Sequence, residues 1–318
     1  MRAGSQHSGG ACPGTPLRGG AVASGASRFG MAFALLGAVG FSFKAILVKL
    51  AYPHGVDPVT LLALRMVFAL PFFLVMGWQA ERRANFRLGR ADLAAMLGLG
   101  LFGYYLASYL DFLGLQYISA ALERLILFVY PTLVILLSAL FLGKPVTRRA
   151  LAALCLCYAG IALAVVHDLR IAGDAAEVLL GCALVFASAL SYALYLMGNG
   201  EVVGRLGSAR VTAWASTVAC ALCIAQFLLS RPFESLRLPW QVYGLSIVMA
   251  ALSTVLPVWL VSEAIRRIGA GTVALAGTSG PVITMFLGWM LLEESIGAAQ
   301  LLGAALVIVG VLVMSRRG

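Results

Sequence analysis

Ten apolar runs, each about the length that crosses a bilayer, follow one another with short connections. They fall near residues 31–51, 58–78, 93–115, 118–142, 149–166, 178–198, 210–229, 242–264, 270–292 and 298–315. A membrane helix needs roughly 20 apolar residues, and connections this short leave no room for a soluble domain. Only helices and closed barrels satisfy the backbone inside lipid, so runs of this length imply an all-α integral membrane protein. Composition agrees. The chain is 61% hydrophobic and 11% charged, with mean hydropathy +0.96, against roughly 25% charged residues in a soluble domain. Such a chain has too little polar surface to cover a soluble globule.

The net charge of +10 does not point to nucleic acid. The basic residues are dotted between apolar runs, as the positive-inside rule expects, rather than clustered on one segment. With the N-terminus cytoplasmic, sixteen Arg and Lys fall in inside segments, among them Arg82, Arg83, Arg148, Arg149, Arg205, Arg266 and Arg267. Only Arg170, Arg231 and Arg237 fall outside. The bias predicts that both termini are cytoplasmic. Arg used almost to the exclusion of Lys, with much Ala, Gly and Leu, hints at a GC-rich bacterial genome, and so the expected location is a bacterial inner membrane. Residues 1–29 are Gly, Ser, Ala and Pro with three Arg and no acid. They read as a disordered cytoplasmic tail rather than a signal peptide.

The six cysteines (11, 155, 157, 182, 220 and 223) lack metal-ligand spacing and a disulfide framework. No Walker motif is present, and no cofactor or metal is expected. The three histidines, His7, His54 and His167, lie in tail or loops. A membrane-embedded enzyme acting on lipid is the alternative class, and it would need a catalytic cluster at one face. A channel would need a repeated filter-like loop.

A shift of about 150 residues lays the second half on the first. Pro131 meets Pro281, Leu142 meets Leu292 and Gly160 meets Gly310, and the break Gly143-Lys144 meets Glu293-Glu294. The repeat units span 30–167 and 177–315 and hold five helices each. An odd unit inserts in opposite senses, which gives two inverted five-helix repeats. Transporters built this way bind substrate near the midplane between the halves.

These residues resemble the drug/metabolite transporter superfamily, in particular its EamA-type members. The stretches that carry the resemblance are GLQYISAALERLILFVYPTLVILLSALFLGKPVTRRALAALCLCYAGIAL and RRIGAGTVALAGTSGPVITMFLGWMLLEESIGAAQLLGAALVIVGVLVM, with FSFKAILVKLAY and PVTLLALRMVFALPFFL in the first two helices. The first-half break departs from the pattern, carrying Lys144 where an acid is usual. The resemblance implies secondary, non-ATP-driven transport of a small organic compound, often export, through a cavity between the halves. The partners implied are a small-molecule substrate and the lipid bilayer, with the chain a monomer or homodimer.

Seven ionisable residues lie inside the runs: Lys44, Lys49, Arg65, Asp111, Glu123, Arg124 and Glu263. Charges in hydrocarbon are costly, so each is a functional-site candidate. At 1.5 Å per residue, Lys44, Arg65, Asp111, Glu123 and Arg124 share one depth, roughly 6–10 Å inside the outer boundary. They form either a buried structural network or a wet wall that binds a polar or zwitterionic substrate and moves a proton. The candidate substrate ligands are Lys44, Arg65, Arg124, Tyr130, Tyr192 and Trp259, with Lys44 the most central. Asp111 and Glu123 are the candidate proton-coupling acids, and Pro131 and Pro281 the candidate hinges. Lys49 can snorkel to the interface. Glu263 stands i,i+4 from Arg267, which predicts an ion pair.

Overall fold

The computed structural model describes residues 20–84, 88–143, 145–171 and 174–315. Among them every regular element is a helix. We number them α1 (Gly20–Ala51), α2 (Pro58–Arg82), α3 (Arg90–Gly114), α4 (Ala120–Leu127), α5 (Tyr130–Leu142), α6 (Arg148–Ile171), α7 (Ala175–Leu206), α8 (Ser208–Ser230), α9 (Trp240–Ile268), α10 (Ala270–Gly277), α11 (Gly280–Leu292) and α12 (Ala298–Ser315). Nine helices among the described residues are long and apolar enough to cross a membrane, and the last apolar helix, Ala298–Val313, is shorter. The tail expected over residues 1–29 lies outside the described residues up to residue 19. From Gly20 onward the chain already belongs to α1. The segment is Ala-rich and proline-free, so nothing in it stops the helix.

Local chemistry places the helix ends. Asp57 accepts hydrogen bonds from the Val59 and Thr60 amides ahead of Pro58 at the first turn of α2. Ser119 accepts from the Leu122 amide and starts α4. The fourth apolar run is one span broken in two. Pro131 cannot donate to the Leu127 carbonyl, and α4 ends at Leu127. In the same way Pro281 faces the Gly277 carbonyl, and α10 ends at Gly277. Both α3 and α9 contain a π-helical stretch, at Gly100–Leu106 and Ala251–Val255. The second precedes Pro257, whose missing amide donor it absorbs.

The most extensive helix pairings are α6 with α12, α2 with α8, α1 with α9 and α3 with α7. Each joins an element of the first half of the chain to one of the second. The buried cores mix the halves as well. One gathers Ile46, Leu61 and Phe112 with Cys220 and Met249. Another gathers Leu122 and Cys157 with Val185 and Val307. The backbones of α6 and α12 approach closely. A Cβ on Gly160 would come 2.4 Å from the Gly303 carbonyl oxygen, and one on Gly303 would come 2.4 Å from that of Gly160. Small residues at such crossings let backbones pack closely in lipid. The outside of the bundle is apolar, with Phe72, Leu140, Leu229, Trp240 and Trp289 all exposed. That is the surface a bilayer covers.

Candidate functional site

A cavity of about 500 Å³ opens inside the bundle, lined from α1, α2, α3, α4, α5, α7, α8, α9 and α10. This is the size range of small-molecule sites. Its lining includes Lys44, Asp111, Arg65 and Arg124 among apolar and aromatic side chains. It extends from these charges toward Ala34 and Ile265.

The charges meet as their common depth requires. Lys44 on α1 donates to Asp111 Oδ2 on α3 at 2.6 Å and stands 2.9 Å from Glu123 Oε1 on α4. The second contact is an ion pair without hydrogen-bond alignment, since neither Glu123 oxygen has a hydrogen-bond partner among the described residues. Asp111 is 2% exposed and Glu123 0%. Two buried carboxyl groups thus share one ammonium, which leaves one excess negative charge when both are ionised.

The two arginines are held differently. Arg65 on α2 is 6% exposed. Its Nε donates to Thr254 Oγ1, in the π stretch of α9, at 2.9 Å, and its guanidinium lies over the Phe112 ring at 5.5 Å. Its Nη1 is buried without a partner among the described residues. Arg124 turns away from its neighbour Glu123, as a rotation of about 100° per residue dictates. Its guanidinium lies against Gly280, where a Cβ would stand 2.7 Å from Nη2. Its Nε is likewise buried and unpartnered among the described residues.

The aromatic wall is a chain of rings. Tyr130 meets Tyr192 edge-on at 5.2 Å, Tyr192 stacks on Tyr195 at 5.5 Å, and Tyr195 meets Tyr104 edge-on, with hydroxyls 3.2 Å apart. Of the residues singled out in the sequence, Lys44, Arg65, Arg124, Tyr130, Tyr192 and Asp111 line the cavity. Glu123 reaches it only through Lys44. Pro131 and Pro281 mark the two helix breaks.

Trp259 corrects the expectation. It is 59% exposed, packs on Phe33 at 6.0 Å and does not line the cavity. Val258 and Val261 line the cavity on α9, and Trp259, turned about 100° from Val258, points to the outside of the bundle. Lys44 also stands otherwise than its central position implied, because both acids already engage it. Glu263 pairs with Arg267 at 2.8 Å as its spacing requires, and with Arg266 at 2.5 Å as well.

Sequence reasoning missed Thr254, Phe41, Ser188 and Gly280. A hydroxyl just before Pro257 was the available signal for Thr254. Also missed was a polar cluster at one end of the bundle. Glu294 accepts from the Ala120 amide at 2.8 Å and the Ala121 amide at 3.4 Å, with Lys49 at 3.5 Å. Beside it Asp168 accepts from the Ser119 amide and the Gln300 side chain, each at 3.0 Å. These contacts tie the start of α4 to the break before α12 and fix Lys49 at the rim rather than in the cavity.

The model of the EamA-like transporter family matches twice, over residues 28–166 and 179–316. The uncharacterized transporter YcbK of Bacillus subtilis is 31% identical over 86% of this chain and 88% of its own length. An uncharacterized transporter of Synechocystis is 24% identical over 90% of this chain and 93% of its own. One crystal structure superposes with a TM-score of 0.61, covering 91% of this chain and 97% of that one at 20% identity, and so shares the fold. Matched in both halves across most of its length, the chain belongs to the EamA-like transporter family.

Proposed function

We propose that the chain is a secondary transporter that moves a small organic metabolite across a bacterial inner membrane by alternating access. One observation carries the reading. A cavity of small-molecule size holds buried charges and is lined by Lys44, Asp111 and Arg124 from the first half and by Tyr192 and Thr254 from the second. A site shared by two halves is the one that rocking can expose to either side in turn.

The helix pairings support two inverted five-helix repeats. Counted within each unit, they run fifth to fifth, second to second, first to third and third to first. A two-fold axis between the halves produces this pattern. The Arg-rich ends support cytoplasmic termini. On that orientation the cluster of Glu294, Lys49 and Asp168 latches the outer side, and the cavity extends toward the cytoplasm, as export requires. The breaks before Pro131 and Pro281 are the hinges. The excess negative charge of the Lys44–Asp111–Glu123 trio is the proton-coupling element, since a proton there cancels it. The substrate class admitted by the sequence is an amino acid or a similar polar compound, handled by a monomer or homodimer in the bilayer.

The test is flux in reconstituted vesicles under an imposed pH gradient, read across a metabolite library. Solute movement that collapses with the gradient is expected. A folded protein that moves no solute overturns the reading, and flux indifferent to pH removes the proton.

A further inference from the structure

We infer that the cavity selects an organic monoanion, an acidic group on an aromatic body, and that Arg65 and Arg124 rather than Lys44 are its anchors. The inference rests on the transporter reading of the same cavity and puts an anion in place of the amino acid that the sequence admits.

The charges in and behind the cavity wall are three cations and two anions. Lys44 is engaged with both carboxylates, at 2.6 and 2.9 Å. Neither Arg65 nor Arg124 has a carboxylate within ion-pair distance among the described residues. Arg65 is held by the neutral Thr254 hydroxyl, which aims a buried guanidinium into the cavity with Nη1 unsatisfied. Arg124 has an unsatisfied Nε and also lines the cavity.

Buried cations without partners are costly in a membrane, and the guanidinium fork matches the plane of a carboxylate. With Asp111 and Glu123 both ionised, one bound monoanion brings the five-charge group to neutrality. The ammonium of a zwitterion would have to compete with Lys44, which already holds Asp111 and Glu123, for the one Asp111 oxygen, Oδ1, left without a partner among the described residues. The rest of the space favours a flat apolar body, since Phe41, Phe73, Tyr104, Phe128, Tyr130 and Tyr192 share the lining.

The experiment uses the full chain in lipid nanodiscs and four probes of one skeleton: 3-phenylpropanoate, phenylalanine, 2-phenylethylamine and 3-phenylpropanol. Acetate tests the acid group alone. Binding is read by calorimetry and by the shift in unfolding temperature. The phenylpropanoate anion is expected to bind tightest and acetate more weakly. Arg65→Gln and Arg124→Gln are each expected to weaken it roughly tenfold, the size of one charged hydrogen bond, with the Lys variants in between.

Two milder variants stand in if an arginine variant fails to fold. Gly280→Ala displaces the Arg124 guanidinium, and Thr254→Val releases Arg65, each with the charge kept. Either is expected to weaken the anion several-fold. Phenylalanine or the amine binding as tightly as the anion overturns the inference, and so does binding of none of the probes. Anion affinity unchanged in all the variants also overturns it. Anion binding without flux would sink the transporter reading alone. Flux of a zwitterion with no anion binding would sink this inference alone.

Discussion

The two broken spans, α4–α5 and α10–α11, have one backbone plan and opposite chemistry. Each is a helix, a two-residue break and a second helix with proline at its second position, and each ends in a left-handed residue, Gly143 at φ 62° and Glu293 at φ 55°. The first carries Glu123 and Arg124 on its short helix, whereas the second reads AGTVALAG. What the second supplies is room and backbone. Gly280 makes space for the Arg124 guanidinium, and its carbonyl accepts from the Ser42 hydroxyl at 3.2 Å. Its closing residue pair then sends Glu294 across to the amides that open α4. A duplicated scaffold has thus divided its labour. One copy holds charge, and the other shapes the space where that charge is displayed.

Removing Lys44 should break the comparison most severely. Lys44→Ala leaves two buried carboxylates without a counter-ion and should cost about 3–5 kcal/mol of stability, read by thermal unfolding in detergent or nanodiscs. Adding Asp111→Asn and Glu123→Gln should recover most of that loss while abolishing any pH-dependent flux. If Lys44→Ala unfolds no earlier than the wild type, the trio does not hold the first half together.

The packing of α6 on α12 offers a symmetric test. Gly160→Ala and Gly303→Ala each push a methyl group to 2.4 Å from a carbonyl oxygen. Each should cost about 1–3 kcal/mol as overpacking, and the two losses should be alike because the contact is reciprocal. Unequal losses would show that the halves are less equivalent at this crossing than their backbones are.

Glu294→Ala removes the acceptor for two amides at the start of α4 and the partner of Lys49. The expected loss is about 1 kcal/mol, the size of a helix cap, seen as earlier proteolysis or faster hydrogen exchange at Ala120 and Ala121. Protection unchanged there would dissolve the link between the breaks. The smallest effect belongs to Trp259→Ala. The ring faces outward, so stability should move by less than about 0.5 kcal/mol and flux should not change. A lost flux would return Trp259 to the site.

Some of this was legible along the chain. The apolar runs specify a helical membrane protein, because length and hydropathy are local properties. The breaks at Pro131 and Pro281 follow from a missing amide, and the Glu263–Arg267 pair follows from helical spacing, which are local as well. That Lys44, Arg65, Asp111, Glu123 and Arg124 must meet one another, water or substrate follows from the cost of charge in lipid. Which cation takes which acid does not follow, because the partners sit on four helices whose rotations and crossings are set by packing. Only the tertiary structure gave both carboxylates to Lys44, left Arg65 and Arg124 facing the cavity and turned Trp259 outward. Only it brought Gly280 and Glu294 from the second half to serve the first.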